Sequence, residues 1–196
     1  MSERKSDGVN HTPNQTTTEL DLIALAQQGD RNAYCELVRQ NRDGVINVVY
    51  RMCGDAELAE DAAQEAFIRA WTNLHRYKPR SAFRNWLYRI ATNAALDVLR
   101  RERETVDIED VPLTSSHPNP ENAAVAEERA ETIQNAVLDL PPASRVVLIM
   151  REYESLSYRE IADTLGIPMG TVMSRLNYAR KQLRQTLAYL MEVTSP

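Results

Sequence analysis

The stretch LSYREIADTLGIPMGTVMSRLNYARKQLR, residues 156–184, constrains the fold more than any other. Ser157 followed three residues later by Glu160 is a capping box, which opens a short helix. Ile161 and Leu165 give that helix an apolar stripe, and Ala162 is small enough for a close helix crossing. Gly166 permits a tight turn, and Pro168 suits the first turn of the following helix. Val172, Leu176, Ala179 and Leu183 then recur at helical spacing on the second helix. This is the pattern of a helix-turn-helix, whose second helix enters the DNA major groove. An ordinary helical hairpin would not need the cap, the turn and the basic outer face together. Backbone donors at Met169, Gly170 and Thr171, at the helix start, also suit a phosphate.

The rest of the chain reads as helix as well. Six glycines in 196 residues and long 3.6-residue periodicities predict an all-α protein. Helices are expected at about 19–28, from Asp30 as cap to the break at Gly54, from near Asp55, and from roughly 81 to 103. The face of the first is read as Leu22, Leu25 and Ala26. Pro79 disfavours helix at Lys78 and breaks the third from the fourth. Further helices are expected near 120–138, 143–153, 157–165 and 168–191. Between the two clusters lies ETVDIEDVPLTSSHPNPEN, rich in acids and proline and without periodicity, which predicts a flexible linker over 104–120. Drawn out, roughly 18 residues span about 60 Å; relaxed, about 20–25 Å. Residues 1–18 read as a disordered tail. The architecture expected is two small helical domains, 19–103 and 121–191, on an acidic tether.

Charge is blocked rather than mixed. The net charge of −5 argues against DNA, but its distribution does not. Every charge from Asp55 to Glu65 is negative. From Arg69 to Arg101 the sole acid is Asp97, among eight cations. Acids dominate again from Glu102 to Glu131, and the final helix to Arg184 carries only cations. Separate faces for separate partners are implied. Cys35 and Cys53 have no CxxC spacing, so neither a disulfide framework nor a zinc knuckle is expected; a reducing cytoplasm fits. No apolar stretch is long enough to span a membrane.

Two segments carry the chemistry. EDAAQEAFIRAW crowds carboxylates onto a helix that turns apolar and basic. YKPRSAFRNWLYRIATNAALDVLRR sets aromatics among arginines, a combination that suits unstacked bases and their backbone. Tyr77 and Phe83 flank the proline-broken loop and are expected to be exposed. Trp86 and Leu87 fit the core equally well, and Asn93 fits either a base reader or a satisfied polar group between helices. Di-iron bundles need Glu-x-x-His pairs, and His11, His75 and His117 are not so placed.

These residues, together with DLIALAQQGDRNAYCELVRQN and LPPASRVVLIMREYESLSYREIADTLGIPMGTVMSRL, resemble the extracytoplasmic-function (group IV) sigma factors of bacterial RNA polymerase. The match runs from about Leu20 to Leu190. The resemblance implies a dissociable, non-catalytic subunit without cofactor or metal. It implies a region-2 domain that docks on the β′ clamp helices through Asp61, Gln64, Glu65, Phe67 and Ile68. It implies minus-ten recognition and opening by Arg76, Tyr77, Lys78, Arg80, Ser81, Phe83, Arg84, Trp86, Arg89 and Asn93. The region-4 helix-turn-helix would read the minus-thirty-five element and meet the β flap. Its residues would be Arg151, Tyr158, Arg159, Gly170, Thr171, Met173, Ser174, Arg175, Asn177, Tyr178 and Arg180. Many relatives carry Lys or Arg where Met173 stands, and often a basic residue near Asn177 or Tyr178. A cognate anti-sigma factor is a further implied partner. The rival readings are a free-standing helix-turn-helix regulator with a sensing or dimerising N-terminal module, and a carboxylate metal enzyme.

Overall fold

The computed structural model describes residues 18–106 and 121–193, with side chains described for 18–101 and 129–188. The expected tail (apart from Thr18) and linker (apart from 104–106) lie outside the described residues. Among the described residues there are eight α-helices, one 3-10 turn and no strand. The helices are α1 (Glu19–Gln27), α2 (Arg31–Cys53), α3 (Ala56–Asn73), α4 (Phe83–Val106), α5 (Glu121–Leu138), α6 (Pro142–Glu152), α7 (Tyr158–Leu165) and α8 (Met169–Val193). Among the described residues none is long and apolar enough to cross a membrane.

Local chemistry sets the boundaries. Thr18 caps α1 reciprocally with Asp21, Asp30 accepts from the backbone N–H groups of Asn32 and Ala33, and Asp55 accepts from that of Leu58. Gly54 ends α2 in the left-handed region, at φ 81°. Pro168 falls one position before α8 rather than inside it; its carbonyl accepts from the N–H groups of Thr171 and Val172. The 3-10 turn at 74–76 and the loop to Ala82 replace helix where Pro79 was expected to break it. The side-chain amide of Gln27 donates to the carbonyls of Leu74 and Tyr77, at 2.9 and 3.0 Å, pinning this loop to the end of α1.

Helices α1 to α4 bury one alanine-rich core. Ala59, Ala62, Ala63, Ala66 and Ala70 line α3, and Ala91, Ala94 and Ala95 line α4. Such small side chains bring the helix axes close. Leu37, Val45, Val48, Val49 and Met52 of α2 fill the remainder. On α1 the buried residues are Leu22, Ile23 and Ala26; Leu25, expected inside, is exposed because the helix turns its Ile23 side to α2. Helices α5 to α8 pack around Val147, Ile149, Met150, Ile161, Val172, Leu176 and Ala179.

The two domains, joined only by the acidic segment in the sequence, touch. Helix α2 packs on α5 and α6, and α4 packs on α7. Buried Arg145 of α6 donates to the carbonyl of Met52, at the end of α2, as well as to those of Leu138 and Leu140. Leu138 closes over Gly54, where an added Cβ would meet its side chain at 2.5 Å.

Candidate functional site

Three surfaces collect the residues singled out in the sequence. The first is an open groove between α2 and α3, lined by Val38, Arg42, Ile46, Glu60, Ala63, Gln64, Phe67 and Ile68. Ile68 is 62% exposed, unusual for an isoleucine on a packed helix. Phe67 is half-buried beneath it, its carbonyl accepting from Tyr34 Oη at 2.6 Å. Tyr34 in turn rests on Trp71, with ring centroids 4.8 Å apart, so the groove floor is rigidly supported. Burial raises the Tyr34 phenol above its ordinary range. Gln64, Phe67 and Ile68 share the groove. Asp61 is exposed outside its lining, and Glu65 is held 2.7 Å from Arg69. The α2 wall (Val38, Arg42, Ile46) went unforeseen, although an i, i+4, i+8 spacing beside the α2 core stripe is visible in the sequence.

The second surface is the loop after the 3-10 turn and the exposed side of α4. Arg76, Lys78, Arg80, Ser81, Arg84, Arg89 and Asn93 are exposed. Tyr77 and Phe83 are not: they retain 5% and 1% of their accessible surface. The expectation of exposure is corrected here for a physical reason. Tyr77, Phe83 and the half-buried Trp86 form a ring cluster with centroids 5.2–5.5 Å apart, and Tyr77 Oη donates to the Ser81 carbonyl at 2.7 Å. Proline breaks the helix, yet the aromatics on either side of the break clasp each other and shape the loop from beneath. Asn93 stands on the solvent side, so it is no interhelical polar group.

The third surface is the helix-turn-helix. The Ser157–Glu160 capping box forms, and Gly166 takes the left-handed turn at φ 66°. That cap holds the Glu160 carboxyl below its ordinary range, chiefly through the Ser157 hydroxyl. Val172, Leu176 and Ala179 are buried and Leu183 half-buried, the register read from the sequence. Gly170, Met173, Ser174, Asn177 and Tyr178 therefore point outward, with Thr171 and Arg175 half-buried beside them. Arg159 is exposed on α7 and Tyr158 half-buried. Two cations are already engaged. Arg151 donates to the Leu156 carbonyl at 2.9 Å beneath the Tyr158 ring, and Arg180 pairs with Glu152 at 2.7 Å. Both contacts brace the domain from within. Among the described residues no group of His, Cys, Asp and Glu is placed to hold a metal ion.

An all-helical protein with a groove beside a cationic helix, and a helix-turn-helix on a separate domain, is a bipartite DNA-recognition subunit. Family models agree in both halves: Sigma-70 region 2 matches residues 37–105 and Sigma-70 region 4 matches 130–183. The chain is 36% identical to the ECF RNA polymerase sigma factor SigW of Bacillus subtilis, covering 84% of this chain and 94% of that one. It is 38% identical to the ECF RNA polymerase sigma factor SigE of Mycolicibacterium smegmatis, over 93% of this chain and 72% of that protein. The fold resembles that of CnrH solved with the cytosolic domain of CnrY, with a TM-score of 0.64 at 24% identity over 89% of this chain and 97% of that one. It also resembles the sigma factor RpoE of Bartonella quintana solved with the anti-sigma factor NepR, with a TM-score of 0.66 at 21% identity over 79% and 96%. This chain belongs to the ECF sigma factors of the sigma-70 family. It binds core RNA polymerase and directs promoter-specific initiation.

Proposed function

We propose that the three surfaces divide the work of a sigma factor among them. The α2–α3 groove takes the β′ clamp helices of core polymerase, with Ile68 and Phe67 as apolar anchors and Gln64 and Arg42 at the rim. The loop 76–81 and the exposed side of α4 take the minus-ten element. There Arg76, Lys78, Arg80, Arg84 and Arg89 face the phosphates, and Asn93 offers an amide to a base edge. Helix α8 takes the minus-thirty-five element through Gly170, Thr171, Met173, Ser174, Arg175, Asn177 and Tyr178, and its domain meets the β flap. The observation that carries this reading is the 62% exposed Ile68 in a groove directly beside a helix whose outer charges are cationic.

Strand opening on this reading is driven by binding, with no bond-making residue and no cofactor. Control by an anti-sigma factor fits the solved relatives, one of which is in complex with NepR and another with CnrY. A cytoplasmic location follows from the polymerase it serves. Capture of core polymerase by the tagged chain, followed by run-off transcription on genomic DNA, tests the assignment. Specific duplex binding by the free chain, with no polymerase capture, would favour a stand-alone regulator instead.

A further inference from the structure

Gln27 is the last residue of α1, yet its side chain acts 47 and 50 positions away, on the backbone that leads into the loop assigned to the minus-ten element. Its amide nitrogen donates to the carbonyls of Leu74 at 2.9 Å and Tyr77 at 3.0 Å. Those two acceptors fix the orientation of the amide, because its oxygen in the same place would face two carbonyl oxygens. The Leu74 carbonyl also accepts from the Tyr77 N–H at 3.0 Å, so Gln27 reinforces the closure of the 3-10 turn. The pin is fastened to a fixed point. Ile23 and Ala26 behind it are buried, and the N–H groups of Gly29 and Asp30 return to the carbonyls of Ala26 and Leu25. From Tyr77 to Ala82 the loop has neither helix nor strand to hold its backbone. Its side chains alternate there: Arg76 and Lys78 are exposed, and Tyr77 between them is buried. The far end is held from α4, through the Tyr77 ring against Phe83 and Trp86 and its hydroxyl on the Ser81 carbonyl. The near end is held by Gln27.

We propose that Gln27 is a positioning residue for the minus-ten element: its amide holds the loop 76–81 in its DNA-binding shape before DNA arrives. The proposal rests on the assignment of that loop to the minus-ten element. Gln27 fixes the carbonyl of Tyr77, the residue between Arg76 and Lys78, and so sets the directions in which those two cations leave the backbone. A loop that must be ordered at the moment of binding loses affinity in proportion to the time it spends in other shapes. An unpaired DNA strand is itself flexible, so a protein surface already in shape leaves only one partner to order. The two ends of the clasp differ in what else they do. Tyr77 belongs to the buried ring cluster, and its loss would disturb the core. Gln27 lies on the surface, and its amide can be removed without emptying a buried space.

The test replaces Gln27 in the full chain assembled with core polymerase. Met and Lys match Gln in helix propensity, so α1 itself is left alone. Gln27→Met keeps the length and removes the donor, whereas Gln27→Lys supplies N–H donors again. The probe is a fork-junction DNA with an unpaired minus-ten strand, taken from a promoter that the wild-type holoenzyme selects out of a randomised library. Gln27→Met should weaken fork binding by about tenfold, as when the competent loop shape falls to about a tenth of the population. The Tyr77 amide should exchange its hydrogen faster in that variant, while core polymerase affinity and melting temperature stay as in wild type. Gln27→Lys should recover most of the loss. Wild-type fork binding by Gln27→Met would overturn the proposal, as would a loss matched by equal losses of polymerase affinity and thermal stability. A Gln27→Lys chain that regains Tyr77 protection without regaining fork binding would overturn it too. Lys78→Ala with Arg80→Ala tests the loop assignment separately, by weaker fork binding and a shallower salt dependence. If that pair changes nothing, the assignment falls and the proposal with it; if the pair weakens binding and Gln27→Met does not, the proposal alone falls.

Discussion

Arg69 of α3 lies 2.8 Å from Asp97 of α4, and the same guanidinium holds Glu65 at 2.7 Å. The lone acid of the cationic block is thereby consumed in bracing the groove helix against the DNA-facing helix. Both partners of the pair are more than a third exposed on their side chains, at 35% and 42%. Such pairs contribute about 0–1 kcal/mol. Asp97→Asn should therefore lower stability by less than about 1 kcal/mol in urea unfolding. It should leave polymerase capture intact, since Arg69 keeps Glu65.

Much of this was legible beforehand, and the misses have causes. Caps and turn glycines wrote the helix boundaries into the sequence, because Ser157, Asp30, Asp55, Gly54 and Gly166 act on their own neighbours. The outward register of α8 followed from Val172, Leu176 and Ala179 alone. Tyr77 and Phe83 were misjudged because aromatics beside a proline break look exposed locally. Their burial comes from a three-ring cluster that no periodicity reports. The Glu65–Arg69 pair is an i, i+4 spacing that the sequence carries but that was not read from it, whereas only the fold brings Glu152 to Arg180, 28 positions away. The contact between the domains was illegible for a similar reason: it depends on Arg145 reaching the Met52 carbonyl, 93 positions away.

Groove substitutions separate docking from folding. Ile68→Asp places a charge where the side chain already meets solvent, so thermal stability should change little, within about 0.5 kcal/mol. Loss of an apolar anchor typically costs about 2 kcal/mol or more of binding, roughly thirtyfold in affinity. Core polymerase titrations by fluorescence anisotropy measure it. Unchanged affinity would mean that the groove faces water in the polymerase complex.

Phe83 and Asn93 now part company. Phe83→Ala empties a buried ring site and should cost about 3–5 kcal/mol. Its transcription defect should then track loss of fold, on duplex and premelted templates alike. Asn93→Ala, on an exposed side of α4, should leave stability within about 0.5 kcal/mol while impairing opening. Permanganate footprinting against a premelted template reads the difference. Equal activity of Asn93→Ala on both templates would remove that residue from the site.

Tyr88 gives a pH signature. Burial first, then the bond to Glu154 and its charge, hold the phenol well above its ordinary range, with Arg84 opposing. The neutral phenol is favoured when folded, so its contribution is fully present below about pH 10, the unfolded value, and is lost as pH rises through the folded one. Alkaline titration followed by phenolate absorbance should show Tyr88 ionising only as the structure opens, and Tyr88→Phe should reduce the late component by one tyrosine, with buried Tyr34 and Tyr77 still contributing to it. Ionisation in the ordinary tyrosine range with structure intact would contradict the burial.

Met173 tests how the upstream element is read. It is 47% exposed on the outer side of α8, one turn from the helix start, between Gly170 and Asn177. A side chain at this place reaches base edges or phosphates when the helix enters the major groove. The thioether donates no hydrogen bond, so it supplies apolar contact alone, for example to a thymine methyl. Arginine at the same position keeps the helix and adds either a phosphate contact or a bidentate pair with guanine, worth about 1–3 kcal/mol. Met173→Arg should accordingly tighten upstream binding and shift its base preference, with core polymerase affinity unchanged because the α2–α3 groove is untouched. One added phosphate contact also steepens the logarithmic salt dependence by about 0.9. Transcription from a library randomised at the minus-thirty-five element, with salt titrations of binding, measures both. With the register fixed by buried Val172 and Leu176, an unchanged preference and salt slope would mean that α8 approaches the groove by another face.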